Sequence, residues 1–95
     1  MPRPMKLRQV AQAPYATFFK PVGVPLNALE GVTLSLEEVE AIRLKDIEDL
    51  HQEECAKHMG ISRGTIQRLL SRGREKVVNA LLSSEAILIG EEQDQ

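Results

Sequence analysis

The sequence predicts a small, mainly α-helical fold of three helices, the last two forming a helix-turn-helix. A short β element built from the N- and C-terminal stretches accompanies them. Three observations carry this prediction. The length of 95 residues allows one domain with a small core. All five prolines fall within residues 1–33, which excludes a long helix there. From Ser35 to Leu82 apolar residues recur at helical spacing, and a strand-like apolar stretch lies on either side.

Taken in order, residues 1–33 form a basic, proline-rich arm. Within it Tyr15-Ala16-Thr17-Phe18-Phe19-Lys20 is rich in strand-favouring residues and predicts a short strand, followed by the turn-rich Pro21–Pro25. Residues 34–82 form the helical domain. Ser35-Leu36-Glu37-Glu38 is a capping box that opens a helix over Leu36–Glu48, with Leu36, Val39, Ile42, Leu44, Ile47 and Leu50 on its apolar side. A second helix starts from Asp49 or His51 and ends near Met59, where Gly60 supplies a positive φ. Ser62 caps a third helix, Arg63 to about Leu82, with Ile66, Leu69, Leu70, Val77, Val78, Leu81 and Leu82 as its core stripe. Gly73 interrupts that helix and predicts a bend or fraying. Residues 83–95 hold a strand over Ala86–Ile89 and a disordered acidic tail, Glu91–Gln95. The Tyr15–Lys20 strand is the expected partner of Ala86–Ile89, within one chain or across a dimer.

Composition narrows the function. Tyr15, Phe18 and Phe19 are the only aromatic residues, too few for a base-stacking single-strand binder. The single cysteine, Cys55, excludes an internal disulfide and a zinc site of two or four thiolates. No apolar run reaches the length of a membrane span and the start has no signal-peptide core, so a cytoplasmic protein is expected. No nucleophile–base pair, no glycine-rich phosphate loop and no carboxylate pair in a pocket-forming context is present, so no enzyme and no cofactor are expected.

The net charge of −2 hides alternating blocks. Residues 1–25 carry +4, residues 26–60 carry −6, residues 61–82 carry +4 and residues 83–95 carry −4. A nucleic acid responds to the local field within about 10 Å at 0.1 M salt, not to the total.

The stretch Gln52–Leu70 carries the function. Ala56 is small where two helices must cross, Gly60 permits the sharp turn, and Cys55, Met59, Ile61, Ile66 and Leu69 fill the angle between them. A helix-turn-helix places the start of its second helix in the DNA major groove. Ser62, Arg63, Gly64, Thr65, Gln67, Arg68, Ser71 and Arg72 lie off the core stripe, and Arg, Gln, Ser and Thr are the types that read base edges. Ser62 leaves free amide donors that suit a phosphate, and Gly64 keeps that end slim. Arg63, Thr65, Gln67 and Arg68 are expected to face bases or the adjacent backbone, and Arg74 and Lys76 to neutralise phosphates. An ordinary helical hairpin with a basic face is the bland alternative.

Ser35–Leu82 resembles the C-terminal promoter-reading region of bacterial sigma factors. The likeness lies in the helix opening at Leu36 and in Gly60-Ile61-Ser62-Arg63-Gly64-Thr65-Ile66, with Leu70 and Arg72 after it. The whole chain resembles a family of small uncharacterised prokaryotic proteins predicted to bind DNA. It carries Pro2-Arg3-Pro4, Phe19-Lys20-Pro21-Val22-Gly23-Val24-Pro25, Glu40-Ala41-Ile42-Arg43-Leu44, Gln52-Glu53-Glu54 and Met59-Gly60-Ile61-Ser62-Arg63. Many relatives have cysteines in the arm where this chain has Leu7 and Ala11, so a thiol-based metal or redox role does not carry over.

The reading is sequence-specific binding of double-stranded DNA by a transcriptional regulator, acting as a homodimer because one reading head spans few base pairs. The rival is a protein–protein module of the same shape that docks on RNA polymerase or another protein. His51, Cys55 and His58 share a helix side at metal-ligand spacing, but Cys55 belongs to the core by its motif position, so no metal is expected. The arm Met1–Lys6 is a candidate for tracking phosphates. The acidic run Glu37–Glu54 is expected to be a solvated surface facing away from DNA.

Overall fold

Ser35 opens the first helix, α1 (Leu36–Ile42), in the computed structural model of the protein, which describes residues 18–90. Ser35 Oγ accepts the Glu38 amide at 3.1 Å and Glu38 Oε1 accepts the Ser35 amide at 2.9 Å, the reciprocal cap expected of this tetrapeptide. The helix does not continue as α to Glu48. It widens into a π turn over Arg43–Ile47, and the Glu48 amide donates to Arg43 O at 3.0 Å. The wider turn changes which side chains face inward. Leu44 is buried there, whereas Ile47, expected on the apolar side, is 75% exposed.

Asp49, at φ 62°, turns the chain into the second helix, α2 (Gln52–Met59). Of the two expected caps, His51 occupies the position, and its amide donates to Glu54 Oε1 at 2.9 Å. Gly60 ends α2 at φ 71°, in the left-handed region where a β-carbon is costly. Its amide and that of Ile61 both donate to Ala56 O, at 2.8 and 3.1 Å. The third helix, α3 (Arg63–Ser83), then starts from Ser62, whose Oγ accepts the Thr65 amide at 3.1 Å.

Gly73 neither bends nor frays α3, which is continuous through it. It is buried where α1 crosses: a β-carbon there would lie 2.8 Å from Ile42 Cδ1 and 3.2 Å from Glu38 Cβ. The glycine serves close helix approach. A second correction concerns the apolar residues after it. Val78, Leu81 and Leu82, expected in the core, are 51%, 70% and 80% exposed. Ala80 is the buried residue of that half, with Lys76 and Val77 half-buried beside it.

Three strands form one sheet in the order β1 (Phe18–Phe19), β3 (Ala86–Ile89), β2 (Gly31–Leu34). The expected pairing of the terminal strands occurs within the chain: β1 runs antiparallel to β3, with Phe18 opposite Leu88 and Phe19 opposite Ile87. Tyr15, Ala16 and Thr17 of the expected strand lie outside the described residues, as do residues 1–14 of the arm and the tail Glu91–Gln95. Sequence reasoning missed β2. It pairs in parallel with β3, Val32 opposite Ile87 and Thr33 opposite Leu88, across the expected junction of arm and helical domain. Parallel strands need a long crossover, and all three helices together form it.

The core is where α1, α2 and α3 meet. Ala41, Leu44, Cys55, Ala56, Met59, Ile66, Leu69 and Leu70 are buried in one cluster, flanked by Ile42, Leu50 and Ile61. These include every residue assigned from sequence to the angle of the helix-turn-helix. The acidic run is not wholly a solvated surface. Glu38 and Glu40 are buried, each held by cations. No helix among the described residues is long and apolar enough to cross a membrane.

Candidate nucleic-acid interface

The turn at Gly60–Ile61 and the Ser62 cap present the start of α3 outward, because Ile66, Leu69 and Leu70 are drawn into the core. Ser62, Arg63, Gly64, Gln67, Arg68, Ser71 and Arg72 are therefore exposed, and Thr65 is half-buried. No acidic residue occurs between Arg63 and Arg74.

Local bonds order this surface. Thr65 Oγ1 lies 2.9 Å from Ser62 Oγ and accepts from Arg68 Nη2 at 3.2 Å, so the first turn presents hydroxyls and a guanidinium as one polar set. Gly64 has open space around it: a β-carbon would meet nothing nearer than Arg68 Nη1 at 3.9 Å. The fold itself makes no steric demand for glycine at this position.

Two residues expected here are placed elsewhere by the structure. Lys76 donates to Glu38 Oε1 at 2.9 Å and to Thr33 O at 2.8 Å, and its side chain is 17% exposed. It points to the sheet, not to the reading face. Arg74 donates twice to Asp46, at 2.6 and 3.3 Å, with both side chains about half exposed. Arg72 stays on the exposed side, with Nε 3.9 Å from Glu38 Oε2. In the π turn, Arg43 donates to both Glu40 oxygens at 2.9 and 3.0 Å and to Glu48 at 3.0 Å. The Glu40 hydrogen bonds raise the Arg43 pKa above its ordinary value.

Sequence reasoning also missed a groove next to the start of α3. Lys45, His51, Gln52, Glu53 and Arg63 line it, with a volume of about 450 Å³. Lys45 lies within an acidic stretch and belongs to the π turn, so no charge block or helical pattern points to it.

The three candidate metal ligands on α2 do not converge. Cys55 is fully buried, with Sγ 4.0 Å from Leu50 O, whereas His51 and His58 are exposed. Burial pushes the Cys55 thiol pKa above its ordinary value, favouring the neutral form. Among the described residues no group of three His, Cys, Asp or Glu side chains is placed to hold a metal ion.

Comparison with known proteins gives one consistent result. The profile of the family described as "Protein of unknown function DUF134" matches residues 1–94. A UPF0251 protein of Caldanaerobacter subterraneus subsp. tengcongensis is 53% identical over 89 residues, covering 94% of this chain and 75% of that protein. A UPF0251 protein of Desulforudis audaxviator is 55% identical over 89 residues, covering 94% of this chain and 58% of that protein. One from Moorella thermoacetica is 53% identical, and the chain spans 60% of its length. The chain thus spans less than two thirds of the last two relatives. No solved structure matches it.

Proposed function

The chain belongs to the DUF134 family of proteins of unknown function, and for this member we propose sequence-specific binding of double-stranded DNA in transcriptional regulation. The observation that carries the reading is the acid-free, exposed start of α3, offered by a left-handed turn at Gly60 and capped by Ser62. Gln67 and Arg68 reach base edges in the major groove; Ser62, Arg63, Thr65, Ser71 and Arg72 serve the adjacent backbone. Arg74 and Lys76 are left to the fold. The likeness of Ser35–Leu82 to sigma-factor promoter readers supports the same assignment. The activity is equilibrium binding, not catalysis.

One reading head covers few base pairs, so the working form is a homodimer on two half-sites about 34 Å apart. Val78, Leu81 and Leu82, exposed on α3, are the surface for the second copy. They lie about 20 Å along the helix from the reading residues at 1.5 Å per residue, which keeps the two reading ends apart.

Selection of bound duplexes from a random pool tests the assignment. Recovery of a common pseudo-palindromic motif is expected. Failure to enrich any sequence, together with binding that ignores salt, favours docking on RNA polymerase or another protein instead.

A further inference from the structure

The ion pairs divide the described cations into two groups. Arg43, Arg72, Arg74 and Lys76 each face a carboxylate: Glu40 and Glu48, Glu38, Asp46, and Glu38 again. Lys20, Lys45, Lys57, Arg63 and Arg68 have no ion pair with any described residue; Lys20 donates to the Pro21 and Val24 carbonyls, and Arg68 to the Thr65 hydroxyl. The two groups differ in place. Arg72, Arg74 and Lys76 pair across the seam between α3 and the first helical segment and Arg43 pairs within that segment, whereas three of the five unpaired cations, Lys45, Arg63 and Arg68, lie at or beside the start of α3.

Lys45 and Arg63 line the same groove of about 450 Å³, although one comes from the π turn and the other from α3. Gln52 adds an amide donor and His51 an imidazole, and Glu53 is the one opposing charge of the lining, itself without an ion pair among the described residues. Two cations and a single carboxylate facing one groove leave it net positive, so it gains from a bound anion. The groove is open, so an anion on a long polymer can enter it. It also adjoins the helix start that the preceding section assigns to the major groove.

We propose that this groove seats a backbone phosphate of double-stranded DNA beside the major groove entered by α3, with Lys45 and Arg63 as its cations. This rests on the DNA-binding reading and adds to it a phosphate contact from outside the helix-turn-helix. Lys45 anchors the duplex through α1, which is packed on α3, and so holds the reading helix at one depth and angle. Phosphate contacts of this kind are sequence-independent, and each steepens the salt dependence of binding by about 0.9 on a log–log scale.

The test is a salt titration of binding to mixed-sequence duplex DNA by the full chain and its variants. Lys45→Ala should lower the slope by about 0.9, so that its affinity relative to the wild type is about eightfold lower at 0.1 M salt than at 1 M. Lys45→Arg should keep the wild-type slope, which separates charge from a packing defect. Glu53→Gln should tighten binding at low salt, because it removes the opposing charge. If the wild-type chain binds duplex and Lys45→Ala leaves the slope unchanged, the groove is not a phosphate seat, although the DNA reading stands. If the wild-type chain binds no duplex at any salt concentration, both fall. Inorganic phosphate that shifts the His51 and Gln52 amide resonances while the Lys45→Ala slope on DNA is unchanged would assign the groove to a free anion and overturn the proposal.

Discussion

Lys76 Nζ lies 2.9 Å from Glu38 Oε1, and that carboxylate is 1% exposed. The same ammonium donates to Thr33 O at 2.8 Å, and the same carboxylate accepts the Ser35 amide. One ion pair therefore ties α3 to the capped start of α1 and to β2. Because β3 takes the carbonyls of Glu30 and Leu34, the Thr33 carbonyl faces the open side of β2, and Lys76 covers that edge.

Glu38 serves Lys76, Arg72 and the Ser35 amide at once, so its removal takes a buried carboxylate from half-buried Lys76 and the cap from α1. Glu38→Ala should therefore cost about 3–5 kcal/mol of stability, read from urea unfolding. Lys76→Ala should also destabilise the fold, yet leave the salt slope of DNA binding near the wild-type value. A normal midpoint for Glu38→Ala would show that the pair does not support the fold.

Gly73→Ala gains about 1 kcal/mol in helix propensity but forces a methyl against Ile42 Cδ1 and Glu38 Cβ. Overpacking of this kind costs about 1–3 kcal/mol, and Glu38 Cβ lies too close to the backbone to move freely. A net loss in thermal stability is expected, larger for Gly73→Val. Stabilisation by Gly73→Ala would mean that the helix crossing is looser than this geometry.

Arg68→Ala should cost about 1–3 kcal/mol on the selected duplex and relax its sequence preference, whereas Arg63→Ala should weaken binding to all duplexes alike. Arg74→Ala is the contrast. Its pair with Asp46 is half exposed and so contributes at most about 1 kcal/mol to stability, with the salt slope unchanged. Equal effects of all three on DNA affinity would erase the distinction between the reading face and the α1–α3 seam.

Leu81→Lys with Leu82→Lys replaces two side chains that are 70% and 80% exposed, so the isolated fold should hold its unfolding midpoint at low concentration. Sedimentation should show a shift from dimer to monomer. A wild-type chain that sediments as a monomer at all concentrations would sink the dimer surface.

Cys55 should react with thiol reagents only at the rate of unfolding, because it is buried and its thiol is held above the ordinary pKa. The sign follows from linkage. A raised folded-state pKa gives stability that is complete below the unfolded value of about 8.5 and lost as pH rises through the folded value. Cys55→Ala should reduce that alkaline loss in urea titrations.

Local physics made much of this protein legible. Ser35 with Glu38, Ser62 with Thr65, and Gly60 each satisfy or release backbone groups within a few residues, so helix starts and the sharp turn could be read directly. The angle-filling set Cys55, Met59, Ile61, Ile66 and Leu69 follows from spacing alone, and with it the exposed face Arg63–Arg72. What tertiary structure decided depends on partners far along the chain. β2 has four residues and no alternating pattern, and it is a strand because Ala86–Ile89 lies beside it, more than fifty residues away. Gly73 looked like a flaw in a helix until α1 was laid across it. Val78, Leu81 and Leu82 fit a core stripe by period, but they are exposed, because among the described residues no element packs over that side of α3. The pairing of charges was decided the same way: sequence counts cations in blocks, whereas the fold brings Arg74 to Asp46 and Lys76 to Glu38, and leaves Lys45 beside Arg63.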